Sequence, residues 1–218
     1  MRRIGRVIIA ATLPVVAGAT AARAQLAGIP VYFNPRGGTG VGVAADLGFP
    51  DNHSGGGTAY GVAGSFGAGP VTLTGMAGAW SPTGFSAQTS FGADIAYRLF
   101  GGGMLPVAVA VQAGYGSVKA PISLVGTATR TTIPVGVGLS LDPPLFPLKP
   151  WIAPRIDFTS VSGGGNSSTF HVSGGVNFSL LLGLGVHAAV DWGKIQGTNQ
   201  SALVWGVGAH FNFHVPIM

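Results

Sequence analysis

The stretch FGADIAYRLF, residues 91–100, places Phe91, Ala93, Ile95, Tyr97 and Leu99 at every second position, with Gly92, Asp94, Ala96 and Arg98 in the gaps. Side chains alternate across a strand, so the segment has one apolar face and one small or charged face. A sheet that faces water would carry Lys and Glu on its second face. Here that face is Gly, Ala and Ser along most of the chain, and Glu is absent altogether.

The same alternation recurs. TGVGVAADLGF (39–49) sets Val41, Val43, Ala45, Leu47 and Phe49 against Gly40, Gly42, Ala44 and Asp46. TAYGVAGSFG (58–67), the weaker PVTLTGMAGAW (70–80) and VAVAVQAGYG (107–116) follow, the last with Val107, Val109, Val111 and Tyr115 on its apolar face. Further on come TTIPVGVGLSL (131–141), WIAPRIDF (151–158), TFHVSGGVNFSL (169–180), LGLGVHAAVDW (182–192) and SALVWGVGAHFNF (201–213). With the opening stretch this predicts about ten strands, with eight as the smaller alternative. Each is roughly ten residues long, as a tilted membrane-crossing strand requires.

The first residues read differently. Arg2, Arg3 and Arg6 precede an apolar run from Val7 to Ala21, and Ala22-Arg23-Ala24 supplies small residues for cleavage. This is the anatomy of a secretory signal peptide over 1–24, leaving a single domain over 25–218. Removing it takes four arginines away, and the formal charge falls from +5 to about +1. The basic balance of the full chain is therefore no sign of nucleic acid. Charged residues make up 8% of the chain, against about 25% in soluble domains, which argues against a secreted soluble β-sandwich or adhesin. Cysteine is absent, so disulfides and thiolate chemistry are excluded.

No run of about 18 apolar residues follows Gln25, as a membrane helix would need. The longest candidate, Phe178 to Trp192, is broken by Gly183, Gly185, His187 and Asp191. Only helices and closed barrels satisfy their backbone in lipid, so a barrel remains. Connections alternate as expected: PDNHSGGG, SPTGFSAQT, GSVKAPISLVGTAT, VSGGGNSS and KIQGTNQ are polar or Gly-rich, whereas those around Gly69, Gly102 and Leu181 are tight. DPPLFPLKP (142–150) is long for its place. Aromatic residues gather near both strand ends, the positions of two interfacial girdles. Trp80 and Trp151 have the wrong parity for the lipid face, which predicts a bulge or a shifted register there.

The signal peptide, the period-two strands and the aromatic ends together make the chain resemble the small outer-membrane β-barrel proteins of Gram-negative bacteria, over essentially all of the mature sequence. The resemblance implies a location in the bacterial outer membrane, with outer-membrane lipid and the barrel-assembly machinery as partners. Those proteins usually end on an aromatic residue, whereas here Phe211 and Phe213 precede HVPIM.

The inward polar set is small: Asp46, Asp94, Arg98, Gln112, Arg155, His187 and His210. Asp157, His171 and Asp191 fall at similar depth on three neighbouring strands. A histidine between two carboxylates could serve acid/base chemistry at the outer rim of the lumen, which would make the protein a surface lipid or peptide hydrolase. The plainer alternative is a polar plug of mutually paired charges, and it is preferred because no nucleophile stands at defined spacing. GLGVHA (183–188) lacks the strand-turn-helix context of a dinucleotide site, and no GxSxG, HExxH or P-loop occurs. No cofactor and no metal are expected. The chain is thus expected to be a non-enzymatic barrel for envelope structure, surface interaction or slow passage of small solutes or ions, with Arg98 and Arg155 constricting the lumen.

Overall fold

A computed structural model describes residues 26–30, 40–102, 105–123, 126–143 and 146–213, so the expected signal peptide over 1–24 and the HVPIM end lie outside the described residues. The strands are β1 Gly40–Pro50, β2 Thr58–Ala68, β3 Val71–Ser81, β4 Gln88–Gly102, β5 Leu105–Ser123, β6 Gly126–Leu141, β7 Leu148–Val161, β8 Asn166–Ser179, β9 Leu184–Lys194 and β10 Ser201–Phe213. Each pairs antiparallel with its chain neighbour, and β1 pairs with β10, so the sheet is a closed barrel of ten strands rather than eight. The seam runs from Val41 opposite Phe213 to Pro50 opposite Val204. Near its outer end the rings of Phe49 and Trp205 stack with centroids 4.5 Å apart.

Burial is inverted relative to a protein folded in water. Leu47, Tyr60, Phe66, Phe91, Ile95, Tyr97, Ile133, Phe158 and Trp205 are exposed on the outer wall, while Asp46, Asp94, Arg155, Asp157 and Asp191 are buried inside. Left in water, each large outward side chain would forfeit about 1.5–3 kcal/mol of burial free energy. The outer face is therefore built for an apolar solvent.

Within β4, Asp94 and Ala96 are buried and Phe91, Ile95 and Tyr97 exposed, as the period-two pattern of FGADIAYRLF requires. The alternation breaks only at its end. A register shift between Arg98 and Phe100 turns both Leu99 and Phe100 outward, the mark of a β-bulge.

Three local expectations are corrected. Trp80 and Trp151 sit in strands paired without any shift, and both point into the lumen, each 5% exposed. Their parity was a true reading of their direction: Trp80 Nε1 donates to the Gly56 carbonyl at 3.0 Å and Trp151 Nε1 to Asn177 Oδ1 at 3.3 Å. Next, the segment 116–129 is not a loop. β5 continues to Ser123 and β6 starts at Gly126, and the two pair from Gly116 opposite Thr132 to Ser123 opposite Gly126. At about 3.3 Å per residue this hairpin outruns a hydrocarbon core of about 30 Å. Finally, DPPLFPLKP is shortened because Leu148 opens β7, and Lys149 Nζ lies 2.7 Å from Asp142 Oδ1 beneath the turn.

Candidate functional site

Three neighbouring strands build the main polar cluster. Along β7, Arg155 and Asp157 are two residues apart and share the inner face, as do Thr169, His171 and Ser173 on β8. Register places Arg155 opposite His171 and Ser173 opposite Asp191 of β9. Gly193 stands opposite His171, and a Cβ there would fall 2.1 Å from the imidazole, so the ring lies over β9 because that position is glycine.

The centre of the cluster is Arg155. Its Nε donates to Asp157 Oδ1 at 2.9 Å, and its Nη1 and Nη2 donate to the two oxygens of Asp191 at 2.6 and 2.9 Å. Nη1 also donates to Ser173 Oγ, whose hydroxyl in turn donates to Asp191 Oδ1 at 2.5 Å. His171 closes the ring: Nδ1 lies 3.3 Å from Asp191 Oδ2, while Nε2 lies 3.1 Å from Thr169 Oγ1 and 3.6 Å from Asp157 Oδ2. Arg155, Asp157 and Asp191 are 2%, 1% and 1% exposed. At that burial an unpaired charge is prohibitive, and a bidentate guanidinium is the strongest available partner for a carboxylate.

Arg155 was expected to constrict the lumen by reaching across it. Its hydrogen bonds to Asp157, Ser173 and Asp191 run along β7, β8 and β9, so it is folded against its own wall. Arg98 does not cross either. Its Nη2 donates to the Gly69 carbonyl at 2.8 Å and so caps the β2–β3 turn. Asp94 is buried in the lumen wall, and neither amide atom of buried Gln112 has a hydrogen-bond partner among the described residues.

A second cluster spans the seam. Asp46 of β1, Gly208 of β10 and His187 of β9 follow one another in register, and the missing side chain at Gly208 lets Asp46 Oδ1 and His187 Nε2 meet across it. His187 Nδ1 and His210 Nδ1 are 2.9 Å apart, with ring centroids at 5.2 Å and planes within 16°. One of the two facing nitrogens donates and the other accepts, and Asp46 meets the opposite side of the His187 ring. Sequence reading placed these three residues inward without joining them, because joining them needs the register of the closing seam.

Three features of the lumen were missed. Thr169 and Ser173 lie two positions either side of His171, a same-face spacing that was visible in TFHVS. The third is the segment Leu26–Pro30, which carries no periodicity to read. It lies inside the barrel, with Leu26 at 0% and Ile29 at 1% exposure. A turn at Gly28, φ +76°, brings the Ile29 N–H to the Leu26 carbonyl at 3.4 Å.

No family model matches the chain, and no curated protein matches it. Among solved structures it is similar to the β domain of the Bordetella autotransporter BrkA, with 13% identity, 81% of this chain and 100% of that chain covered, and a TM-score of 0.53. Also similar are the N-terminal β-barrel domain of Pseudomonas aeruginosa OprF (14% identity, 82% and 100% covered, TM-score 0.44) and the outer membrane protease OmpT from Escherichia coli (8%, 80% and 94%, TM-score 0.46). At these identities the likeness is one of fold. The chain is a closed, ten-strand antiparallel barrel of the outer-membrane type.

Proposed function

We propose that this is an integral β-barrel protein of the bacterial outer membrane, without enzymatic activity, whose role is in envelope structure or surface interaction, with at most a narrow path for small solutes. The observation that carries it is the inverted wall: large apolar side chains exposed outward on strand after strand, and charges buried inward. Outer-membrane lipid is then the solvent of the outer face, and the barrel-assembly machinery is the route of insertion. Cell fractionation tests it. The chain should sediment with outer membranes, resist extraction by salt and alkali, and begin at Gln25; recovery as a soluble periplasmic or secreted protein would overturn the proposal.

One observation favours a second reading, a surface hydrolase. Thr169 Oγ1, His171 and Asp191 follow one another at 3.1 and 3.3 Å, in the order hydroxyl, imidazole, carboxylate. Against it, both oxygens of Asp191 are already held by Arg155, and Ser173 donates to one of them. Hydrolysis of lipid esters or peptides by the purified barrel that disappears in both Thr169→Ala and His171→Ala would establish the hydrolase and remove the non-enzymatic proposal.

A further inference from the structure

We propose that the inner wall formed by β10, β1, β2 and β3 is a peptide-binding site for a short, uncharged, apolar turn, occupied in cis by Leu26–Pro30, which plugs the barrel once the leader has been removed. The wall is shaped to its occupant. A Cβ on Gly48 would fall 1.9 Å from the Gly28 carbonyl oxygen, and one on Gly206 would fall 3.0 Å from Pro30 Cδ. On Gly61 it would lie 2.9 and 3.0 Å from the ends of Leu26 and Ile29. Backbone cannot yield as a flexible side chain can, so any larger residue at 48 excludes the turn.

Chemistry matches shape. Leu26, Ala27 and Ile29 join Ala59, Met76 and Trp80 on one side, and the same apolar cluster continues to Trp151, Ala153 and Ala189 on the other. The segment is thus part of one apolar cluster inside a lumen that also buries Gln112, Arg155 and four aspartates. An apolar nest in a polar lumen has no stabilising role when empty, because water would meet it on all sides.

Chain length allows the placement. The ten residue steps from Pro30 to Gly40 can span about 33–36 Å, whereas Gly48 lies only about 26 Å up the strand from Gly40. Position in the sequence supplies the timing. The plug begins two residues after the cleavage site expected at Ala24, so leader removal leaves an end short enough to enter.

The chain has no cysteine, which makes one introduced thiol a clean reporter. In the folded barrel in detergent, Ala27→Cys should react with a polar maleimide roughly a hundredfold more slowly than in the urea-denatured chain. Ser162→Cys, exposed at the rim, should react fast in both. Adding Gly48→Leu to Ala27→Cys should abolish the protection while the barrel stays folded by heat-modifiable mobility. Ala27→Cys labelling at the denatured rate in the folded barrel would overturn the plug, whether or not the Gly48→Leu chain folds. Protection that survives Gly48→Leu in a folded barrel would overturn the site assigned to it. Because labelling is done in detergent, its outcome is independent of where the cell puts the chain.

Discussion

Arg155 holds Asp191 through both carboxylate oxygens, Nη1 to Oδ1 at 2.6 Å and Nη2 to Oδ2 at 2.9 Å, while its Nε holds Asp157 on its own strand. One guanidinium thus ties β7 to β9 across β8. Arg155→Met should cost about 3–5 kcal/mol of barrel stability, since two buried carboxylates lose their partner at once. Urea unfolding in micelles measures it. Combining Arg155→Met with Asp157→Asn and Asp191→Asn should recover most of the loss, and a single-variant cost below roughly 1 kcal/mol would mean that the three groups are not mutually dependent.

The four tryptophans divide by direction. Trp192 and Trp205 are exposed on the outer wall at 36% and 49%, whereas Trp80 and Trp151 are 5% exposed in the lumen. In bilayers of brominated lipid, fluorescence of a chain keeping only Trp192 and Trp205 should be strongly quenched. A chain keeping only Trp80 and Trp151 should be spared, and equal quenching of both would contradict the inward placement.

Val109 and Ala110 are neighbours on β5 with opposite facing; Ala110 is 3% exposed in the lumen. Val109→Arg at mid-strand should cost about 2–4 kcal/mol in a bilayer. Ala110→Ser should cost less than about 1 kcal/mol. Refolding equilibria in liposomes compare the two, and equal costs would place the strand one residue out of register.

Conduction follows from diameter and filling. A ten-strand wall is only slightly wider than the eight-strand barrels that side chains fill, and far from the 16 strands of an aqueous pore. In planar bilayers the intact protein should show small steps or none, and a chain lacking residues 26–30 should show larger ones. Arg98→Ala should change nothing, because its guanidinium caps a turn. Porin-sized steps from the intact protein would refute a filled lumen.

The periodic part of this fold was open to reading because lipid and lumen impose opposite chemistry at alternate residues. Phe91, Ile95 and Tyr97 could be assigned outward from FGADIAYRLF alone, and Asp94 and Ala96 inward. Asp157, His171 and Asp191 could be brought together because they lie on consecutive hairpins. What resisted was everything set by long-range register or by space. Asp46 meets His187 only across the β1–β10 seam. Arg155 turns along its own wall because Asp157 and Asp191 lie within reach there, and no sequence pattern says which way a long side chain bends. Trp80 and Trp151 were read correctly in direction and explained wrongly, because an inward indole needs an acceptor, and Gly56 of the β1–β2 connection and Asn177 of β8 supply it. Leu26–Pro30 has no alternation at all.

The pairing of β1 with β10 makes the first strand wait for the last. Until Phe213 has been synthesised and delivered, Val41 to Pro50 present a bare row of donors and acceptors to whatever strand arrives, from this chain or another. Completion is therefore all or nothing: a polypeptide stopped at Gln200 loses one strand in ten but forfeits the enclosure itself, and with it any reason for lipid to accept the other nine. Such a product should be found in aggregates or digested, never as a smaller barrel. The cell is thereby obliged to keep the whole polypeptide unfolded in transit.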